Sequence, residues 1–206
     1  MNAGVLIFQN VEELDFVGPW EILGMWKTHA GGPEQCFIIA QSHEPIKCAK
    51  GMTVVPNITI NECPMLDILI VPGGEGTRRE VENEMLISFI AEQAKNCKAV
   101  LSVCTGSFLL QRAGLLNGKN ATTHWNSLDR LRALGDVNVV EQRFVNDGNI
   151  WSSAGVSAGT DMMLAFVASF AGEEAAAKTQ AAAEYFPISK AYGNFSKHPK
   201  APSYLK

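Results

Sequence analysis

The sequence predicts a three-layer α/β sandwich, in which helices cover both faces of a mostly parallel β-sheet. Short apolar runs, such as residues 66–71 and 99–103, alternate with segments whose apolar residues recur at helical spacing. The length of 206 residues suits one domain of this type with a full-sized core. A content of 47% hydrophobic and 18% charged residues is typical of a globular protein.

Further strands are expected on either side of these two runs. They are predicted at residues 4–8, 36–40, 138–141, 143–145 and 150–153. Residues 46–60 read as short strands around Gly51, either as a hairpin or at a sheet edge. Asp147 and Gly148 are a hairpin signal between the last two strands.

The helices are predicted at residues 17–29, 83–96, 105–114, 126–134, 158–170 and 173–185. The first helix is expected to begin near Pro19, because proline is favourable in a first turn, and Asp15 would then precede that helix. Ser157 is a good N-cap for the helix at 158–170, with Asp161 near its positive end. Residues 1–188 are expected to form one domain, followed by a tail at 189–206 that is loose or packed on a neighbour.

Composition and charge exclude several classes of function. A net charge of −4 without a basic run argues against a nucleic-acid partner. No apolar run reaches membrane-spanning length, and the N-terminus lacks the basic segment and cleavage pattern of a signal peptide. Five cysteines without a CxxC spacing indicate free thiols in a reducing compartment. We therefore expect a cytoplasmic protein with no metal site and no cofactor.

Cys104 follows the buried run at 99–103 and precedes a helix, so it lies at a strand-to-helix turn. The unpaired N–H groups at the start of a helix stabilise a thiolate, which predicts a lowered pKa for this thiol. Gly106 and Ser107 are small enough for the helix to pack closely behind the strand. The pattern is a cysteine analogue of the nucleophile elbow, with Ser102 in place of its first glycine. The alternative is a buried cysteine that only packs.

A glycine-rich segment follows the other buried run and contains Gly73, Gly74 and Gly76. Such a segment requires close approach of the backbone to another group. A phosphate cradle is one interpretation, but the sequence has neither a GK[ST] motif nor a GxGxxG motif after the first strand. The other interpretation is that the amides form an oxyanion site beside Cys104. Asp15, Gly73, Gly74 and Cys104 all follow strands, so we expect them to converge at one edge of the sheet.

Four segments together resemble a known family. They are LDFVGPWE at 14–21, DILIVPGG at 67–74, SVCTGSFLLQRAGLLNGKNATTHW at 102–125 and SSAGVSAGTDMMLAF at 152–166. The chain resembles the ThiJ/PfpI superfamily, whose fold is flavodoxin-like and related to class I glutamine amidotransferases. Within it, the isocyanide hydratases are the most similar group. The sensor domains of AraC-type regulators share several of these patterns, but this length leaves no room for their helix-turn-helix domain.

The resemblance implies roles for individual residues. Cys104 aligns with the nucleophile and Asp15 with its acidic partner. The resemblance places the oxyanion pocket, or substrate binding, at Gly73, Gly74, Thr105 and Gly106. His124 matches a histidine that other members keep near the site, so it is an accessory candidate. The alternative is that this histidine hydrogen-bonds locally and packs beside Trp125.

The resemblance also implies a reaction, in which the Cys104 thiolate attacks an isocyanide carbon to give a thioimidate. Asp15 would supply a proton and then assist water, which releases an N-substituted formamide. The two groups should share a proton, with the pKa of the carboxyl raised and that of the thiol lowered. Thr105 occupies the position of a histidine in the protease branch, which argues against protease activity.

Other functions of the same family remain open. They are a glyoxalase-type enzyme, a small-molecule or redox sensor, and an interaction module. The resemblance further implies a homodimer that acts on a small-molecule substrate near the subunit interface. The pocket walls are expected at Val17, Trp20, residues 76–79, Trp125 and Val156.

Overall fold

The structure, a computed structural model, describes residues 1–187 and 192–205. Its strands are β1 (Asn2–Leu6), β2 (Gln35–Ala40), β3 (Ile46–Lys47), β4 (Thr53–Val54), β5 (Ile58–Thr59), β6 (Ile68–Val71), β7 (Ala99–Val103), β8 (Asn120–Ala121), β9 (Asn138–Val139), β10 (Phe144–Asp147) and β11 (Ile150–Ser153). Its helices are α1 (Glu13–His29), α2 (Thr77–Glu80), α3 (Glu84–Ala94), α4 (Gly106–Arg112), α5 (Leu128–Arg132), α6 (Ala158–Ala171) and α7 (Glu173–Ala182). Short 3-10 helices occur at Trp125–Ser127, Phe195–Lys197 and Ser203–Leu205.

The main sheet has seven strands in the order β10-β11-β7-β6-β1-β2-β5. Every neighbouring pair is parallel except β10 and β11. The order of successive parallel strands reverses between β1 and β6, which is the switch point of a flavodoxin-like sheet. Helices α1, α6 and α7 pack together as one layer, and α3 packs with α4. The predicted α/β sandwich is therefore confirmed.

The centre of the sheet explains its sequence pattern. Every residue of β6 and β7 is buried. Strands covered by helices on both faces need apolar residues at consecutive positions, which is why these two runs do not alternate. Residues 46–60 form the β3–β4 hairpin around Gly51 and the edge strand β5, so both interpretations of that segment are confirmed.

The predicted start of the first helix is wrong. Helix α1 begins at Glu13, and Pro19 lies in its interior. Proline has no N–H to donate to the Asp15 carbonyl four residues earlier, so one helical hydrogen bond is missing there. At the neighbouring Gly18, α1 packs so closely on α6 that an added Cβ would lie 2.5 Å from Thr160 Oγ1. Asp15 therefore lies in the first turn of α1 and not before it.

The start of α6 is as predicted in position, with Ser157 as the N-cap residue, but one expected contact differs. The Ser157 side chain makes no capping hydrogen bond; its hydroxyl accepts from the Arg143 guanidinium instead, at 3.2 Å. The Arg143 guanidinium also pairs with Asp161, which does lie in the first turn of α6. Arg143 therefore supplies the polar contacts at this helix start.

The tail is attached to the domain within the described residues. The Phe195 ring lies 4.9 Å from that of Trp125, in an edge-on arrangement. The Ser203 N–H donates to Glu141 Oε2 at 2.8 Å. Phe195 and Ser203 thus contact Trp125 and Glu141 of the same chain, and the expected division into a domain at 1–188 and a tail at 189–206 stays a prediction. The predicted boundary at 188–189 lies outside the described residues.

Candidate active site

Cys104 adopts a backbone conformation that is rare for a residue with a side chain. Its φ is +55°, in the left-handed region. Its N–H donates to the carbonyls of Ser153 and Ala154, each at 3.1 Å. The Thr123 and Ser107 hydroxyls donate to its carbonyl at 2.8 and 3.2 Å. These contacts from three separate segments hold a strained turn between β7 and α4, as in a nucleophile elbow.

Gly106 allows the turn to be this tight. A Cβ at this position would lie 2.2 Å from the Val71 carbonyl oxygen and 2.8 Å from that of Pro72. Real side chains do not tolerate such approaches to backbone atoms, so α4 can start here only with glycine. Helix α4 consequently packs directly behind the end of β6.

Asp15 is fully buried. Its Oδ2 accepts a hydrogen bond from the Gly73 N–H at 2.9 Å. Its Oδ1 makes no normal hydrogen bond within residues 1–187 and 192–205. Burial raises the pKa of this carboxyl to about 7, and the Gly73 hydrogen bond opposes the rise. The raised pKa agrees with the expectation from sequence, and the cause is mainly desolvation.

The Cys104 thiol interacts electrostatically with Asp15. Burial is the main cause that raises the pKa of this thiol, and the negative charge of Asp15 raises it further. The backbone N–H groups of Thr105 and Val156 lower the pKa but do not compensate. The expected lowering of the thiol pKa is therefore wrong, because only 7% of the residue is exposed and water does not solvate a thiolate there. Burial and the Asp15 charge thus both favour the protonated thiol in the free protein.

The glycine-rich segment is used to fit the protein's own backbone. A Cβ on Gly73 would lie 2.5 Å from the Thr105 nitrogen, and one on Gly76 would lie 2.1 Å from the Gln9 carbonyl oxygen. The Gly74 N–H donates to Thr105 Oγ1 at 3.0 Å, and the Gly73 N–H donates to Asp15. Gly73 and Gly74 thus position the acid and the threonine, and their amides are already hydrogen-bonded in this structure.

Val156 was expected only in a pocket wall, but its backbone amide also affects the site. Its φ is +50°, and its N–H lowers the pKa of both Asp15 and Cys104. The amides that affect the sulfur are therefore those of Thr105 and Val156, which belong to the turns after the neighbouring strands β7 and β11. In the sequence, only the adjacent Gly155 could have indicated a close approach of the backbone at this turn. In the structure, a Cβ on Gly155 would lie 2.2 Å from the His124 ring.

The sulfur faces a small cavity of about 200 Å³. Its lining residues are Glu12, Gly74, Glu75, Thr77, Arg78, Cys104, Thr105, His124, Asn126, Ser127, Arg130 and Val156. Thr77, Arg78 and Val156 belong to the expected walls, whereas Val17, Trp20 and Trp125 do not line this cavity. Glu12, Asn126 and Arg130 were not anticipated. A larger cavity of about 350 Å³, beside Phe8 and Met85, is lined by no cysteine.

His124 lies in the wall of the same cavity. Its Nδ1 accepts from the Asn126 N–H at 3.2 Å, so a neutral ring carries its proton on Nε2. Burial lowers the pKa of this imidazole. The ring centroid is 5.5 Å from that of Trp125. His124 thus makes the local hydrogen bond and the Trp125 contact expected of a histidine with a purely structural role, and it also borders the cavity.

The described part of the chain holds neither a metal-binding cluster nor a membrane-spanning helix. No cluster of three or more His, Cys, Asp or Glu side chains there could hold a metal ion. No helix among these residues is long and apolar enough to cross a membrane.

Comparison with known proteins identifies the family. The DJ-1/PfpI family pattern matches residues 1–169. The chain belongs to the DJ-1/PfpI family. This match contains all seven strands of the main sheet and the elbow cysteine. The resemblance to the ThiJ/PfpI superfamily is therefore confirmed. A ThiJ/PfpI family protein from Pseudomonas syringae has the same fold, with a TM-score of 0.83 and 33% identity over 91% of this chain and 76% of that one.

DJ-1/PfpI relatives of this chain carry different functions. It is 38% identical over 188 residues to isonitrile hydratase of Pseudomonas putida, covering 91% of this chain and 79% of that protein. It is 34% identical to the transcriptional regulator GbdR of Pseudomonas aeruginosa over 85% of this chain and 48% of the regulator, about half of its length. It is 24% identical to the glutathione-independent glyoxalase DJR-1.2 of Caenorhabditis elegans, over 81% of this chain and 86% of that enzyme.

Proposed function

We propose that this protein is a cysteine-dependent isocyanide hydratase, which converts an isocyanide into an N-substituted formamide. Cys104 is the nucleophile and Asp15 the acid–base group. The observation that carries the proposal is a fully buried carboxyl that interacts with the thiol of a cysteine at a strained elbow. Isonitrile is another name for isocyanide, so the similarity to isonitrile hydratase of Pseudomonas putida supports the same chemistry.

The first step is addition of the thiol to the isocyanide carbon. Since the pKa of the thiol is raised and that of Asp15 is about 7, the carboxylate, which is partly ionised at neutral pH, is the base. Asp15 removes the thiol proton as the sulfur bonds to the carbon, and it returns that proton to the same carbon. The product is a thioimidate in which both the sulfur and the hydrogen are on the former isocyanide carbon. A carboxyl with a pKa near the working pH is suited to both transfers.

The second step is hydrolysis of the thioimidate. Asp15 assists a water molecule that adds to the thioimidate carbon, and the nitrogen takes up a proton. The carbon–sulfur bond then breaks, the formamide leaves, and the sulfur regains its proton. The Thr105 and Val156 amides lower the pKa of the thiol, so they also stabilise negative charge on the leaving sulfur.

The test is to supply cyclohexyl isocyanide and measure formamide formation by wild type, Cys104→Ala and Asp15→Asn. Cys104→Ala should abolish turnover, and Asp15→Asn should lower kcat by about a hundredfold or more, as for loss of a general acid–base group. The wild-type kcat/KM should rise with pH through about 7, as Asp15 becomes ionised. Cys36→Ala, in β2 and outside the cavity lining, is the matched cysteine control.

Four outcomes would contradict the proposal. An inert wild type, or a Cys104→Ala variant as fast as wild type, rejects the hydratase. Lactate formed from methylglyoxal without formamide formation from isocyanides favours the glyoxalase class. Ready oxidation of Cys104 to the sulfinic acid, with no turnover of either substrate, favours a redox sensor.

A further inference from the structure

We propose that the cavity at Cys104 selects isocyanides that carry a carboxylate or a similar anionic group, and that Arg130 binds this group. This inference rests on the proposed hydratase function and names its substrate class. It follows from the charges that line the cavity and from the way in which the Arg130 guanidinium is held.

Four charged side chains line the cavity, and three of them are neutralised by ion pairs. Glu12 pairs with Lys50 at 2.6 Å, and Glu75 pairs with Arg78 at 3.3 Å. Arg130 makes no ion pair with any residue in the ranges 1–187 and 192–205. The lining therefore carries one positive charge without a counter-ion.

The Arg130 guanidinium is held in place by an aromatic ring. Its central carbon lies 3.8 Å from the centroid of the Phe108 ring. Contact with a ring face occupies the face of the guanidinium and leaves its N–H edge available for in-plane hydrogen bonds to a carboxylate. Phe108 belongs to α4, the helix that follows Cys104, so the elbow and this cation are positioned by the same element.

The electrostatic surroundings of Arg130 favour a neighbouring negative charge. Partial burial and the nearby Arg78 charge lower the pKa of Arg130, and negative charge that develops on the Cys104 sulfur would raise it. The charge of a bound anion would offset the repulsion from Arg78. Because Arg130 and the sulfur line one cavity of about 200 Å³, a small molecule can place its isocyanide carbon at Cys104 and its anionic group at Arg130.

An acid and its methyl ester provide a matched pair of substrates. Isocyanoacetate and methyl isocyanoacetate share one skeleton and differ in charge. The measured quantity is the ratio of kcat/KM for the acid to that for the ester. Wild type should prefer the acid, and Arg130→Gln should lower the ratio by about tenfold, a typical effect for one partly exposed charge-assisted contact. Arg130→Lys should recover part of the ratio, because it keeps the charge but loses the planar fork.

Arg132→Gln is the control, because it removes the same charge from the same helix outside the cavity lining. Arg132 pairs with Asp129 and Glu141. The ratio should be unchanged in this variant, and high salt should lower the wild-type ratio by screening Arg130. A wild type that prefers the ester, or a ratio unaffected by Arg130→Gln, overturns the inference while formamide formation still supports the hydratase.

A binding measurement separates this inference from the proposed function. N-formylglycine, the product of the acid, is titrated calorimetrically into Cys104→Ala, with its methyl ester as the neutral match. Tighter binding of the acid, lost in the Cys104→Ala/Arg130→Gln variant, supports the anion site even if no isocyanide is turned over. Equal binding of acid and ester overturns it, whatever the activity.

Discussion

Asp15→Asn is predicted to make the protein more stable and less active. A carboxyl whose pKa rises from 3.8 in the unfolded chain to about 7 in the fold opposes folding wherever it is ionised. At about 1.36 kcal/mol for each pKa unit, the full effect is about 4 kcal/mol above pH 7. Asparagine is neutral at every pH and retains an oxygen that can accept from the Gly73 N–H.

The sign of the pH dependence follows from proton uptake. Because the folded state holds the Asp15 proton more tightly, wild-type stability falls as pH rises from about 4 to about 7. The difference in free energy of unfolding between Asp15→Asn and wild type should grow by roughly 3 kcal/mol from about pH 5 to about pH 8. Urea unfolding at several pH values measures this difference. If the asparagine amide lacks a hydrogen-bond partner, the variant loses a similar amount of stability at every pH, so the change of this difference with pH stays the same.

Asp67→Asn is the control of opposite sign. The Lys98 hydrogen bond lowers the pKa of Asp67, so this carboxylate stabilises the fold above its unfolded pKa and loses that effect in acid. Asp67→Asn should therefore be less stable than wild type at neutral pH. If the advantage of Asp15→Asn is the same at about pH 5 and about pH 8, the buried carboxyl does not have a raised pKa and the reasoning is refuted.

Two further predictions concern the elbow. Gly106→Ala should destabilise the protein by about 3 kcal/mol or more in urea unfolding, because its Cβ would lie 2.2 Å from the Val71 carbonyl oxygen; Gly24→Ala, on the exposed side of α1 with no atom within 4 Å, should be neutral or slightly stabilising. The rate of Cys104 alkylation by iodoacetamide, measured by mass spectrometry at several pH values, should begin to rise at a lower pH in Asp15→Asn than in wild type, because the Asp15 charge raises the pKa of the thiol. An unchanged pH profile would show that the two groups are not coupled.

The fold was largely predictable because the burial pattern is strong. The bounds of β7 agree with the prediction, since a central strand must be apolar throughout and must stop where the chain turns. The expected turn at Cys104 was visible from the same run. The start of α1 was not predictable from local rules, because a Gly-Pro pair such as Gly18-Pro19 resembles a helix start. The close packing of Gly18 on Thr160 is visible only in the tertiary structure.

The sequence by itself determined the order of the main strands and longer helices and which chemically useful residues follow strands near the switch point. Hydrophobic periodicity and turn residues act locally, so they are readable in one chain. Only the tertiary structure decided that burial raises the pKa of the Cys104 thiol together with that of Asp15, and that the Gly73 and Gly74 amides already have acceptors. These properties depend on burial and on contacts between residues far apart in the chain, which no local pattern specifies.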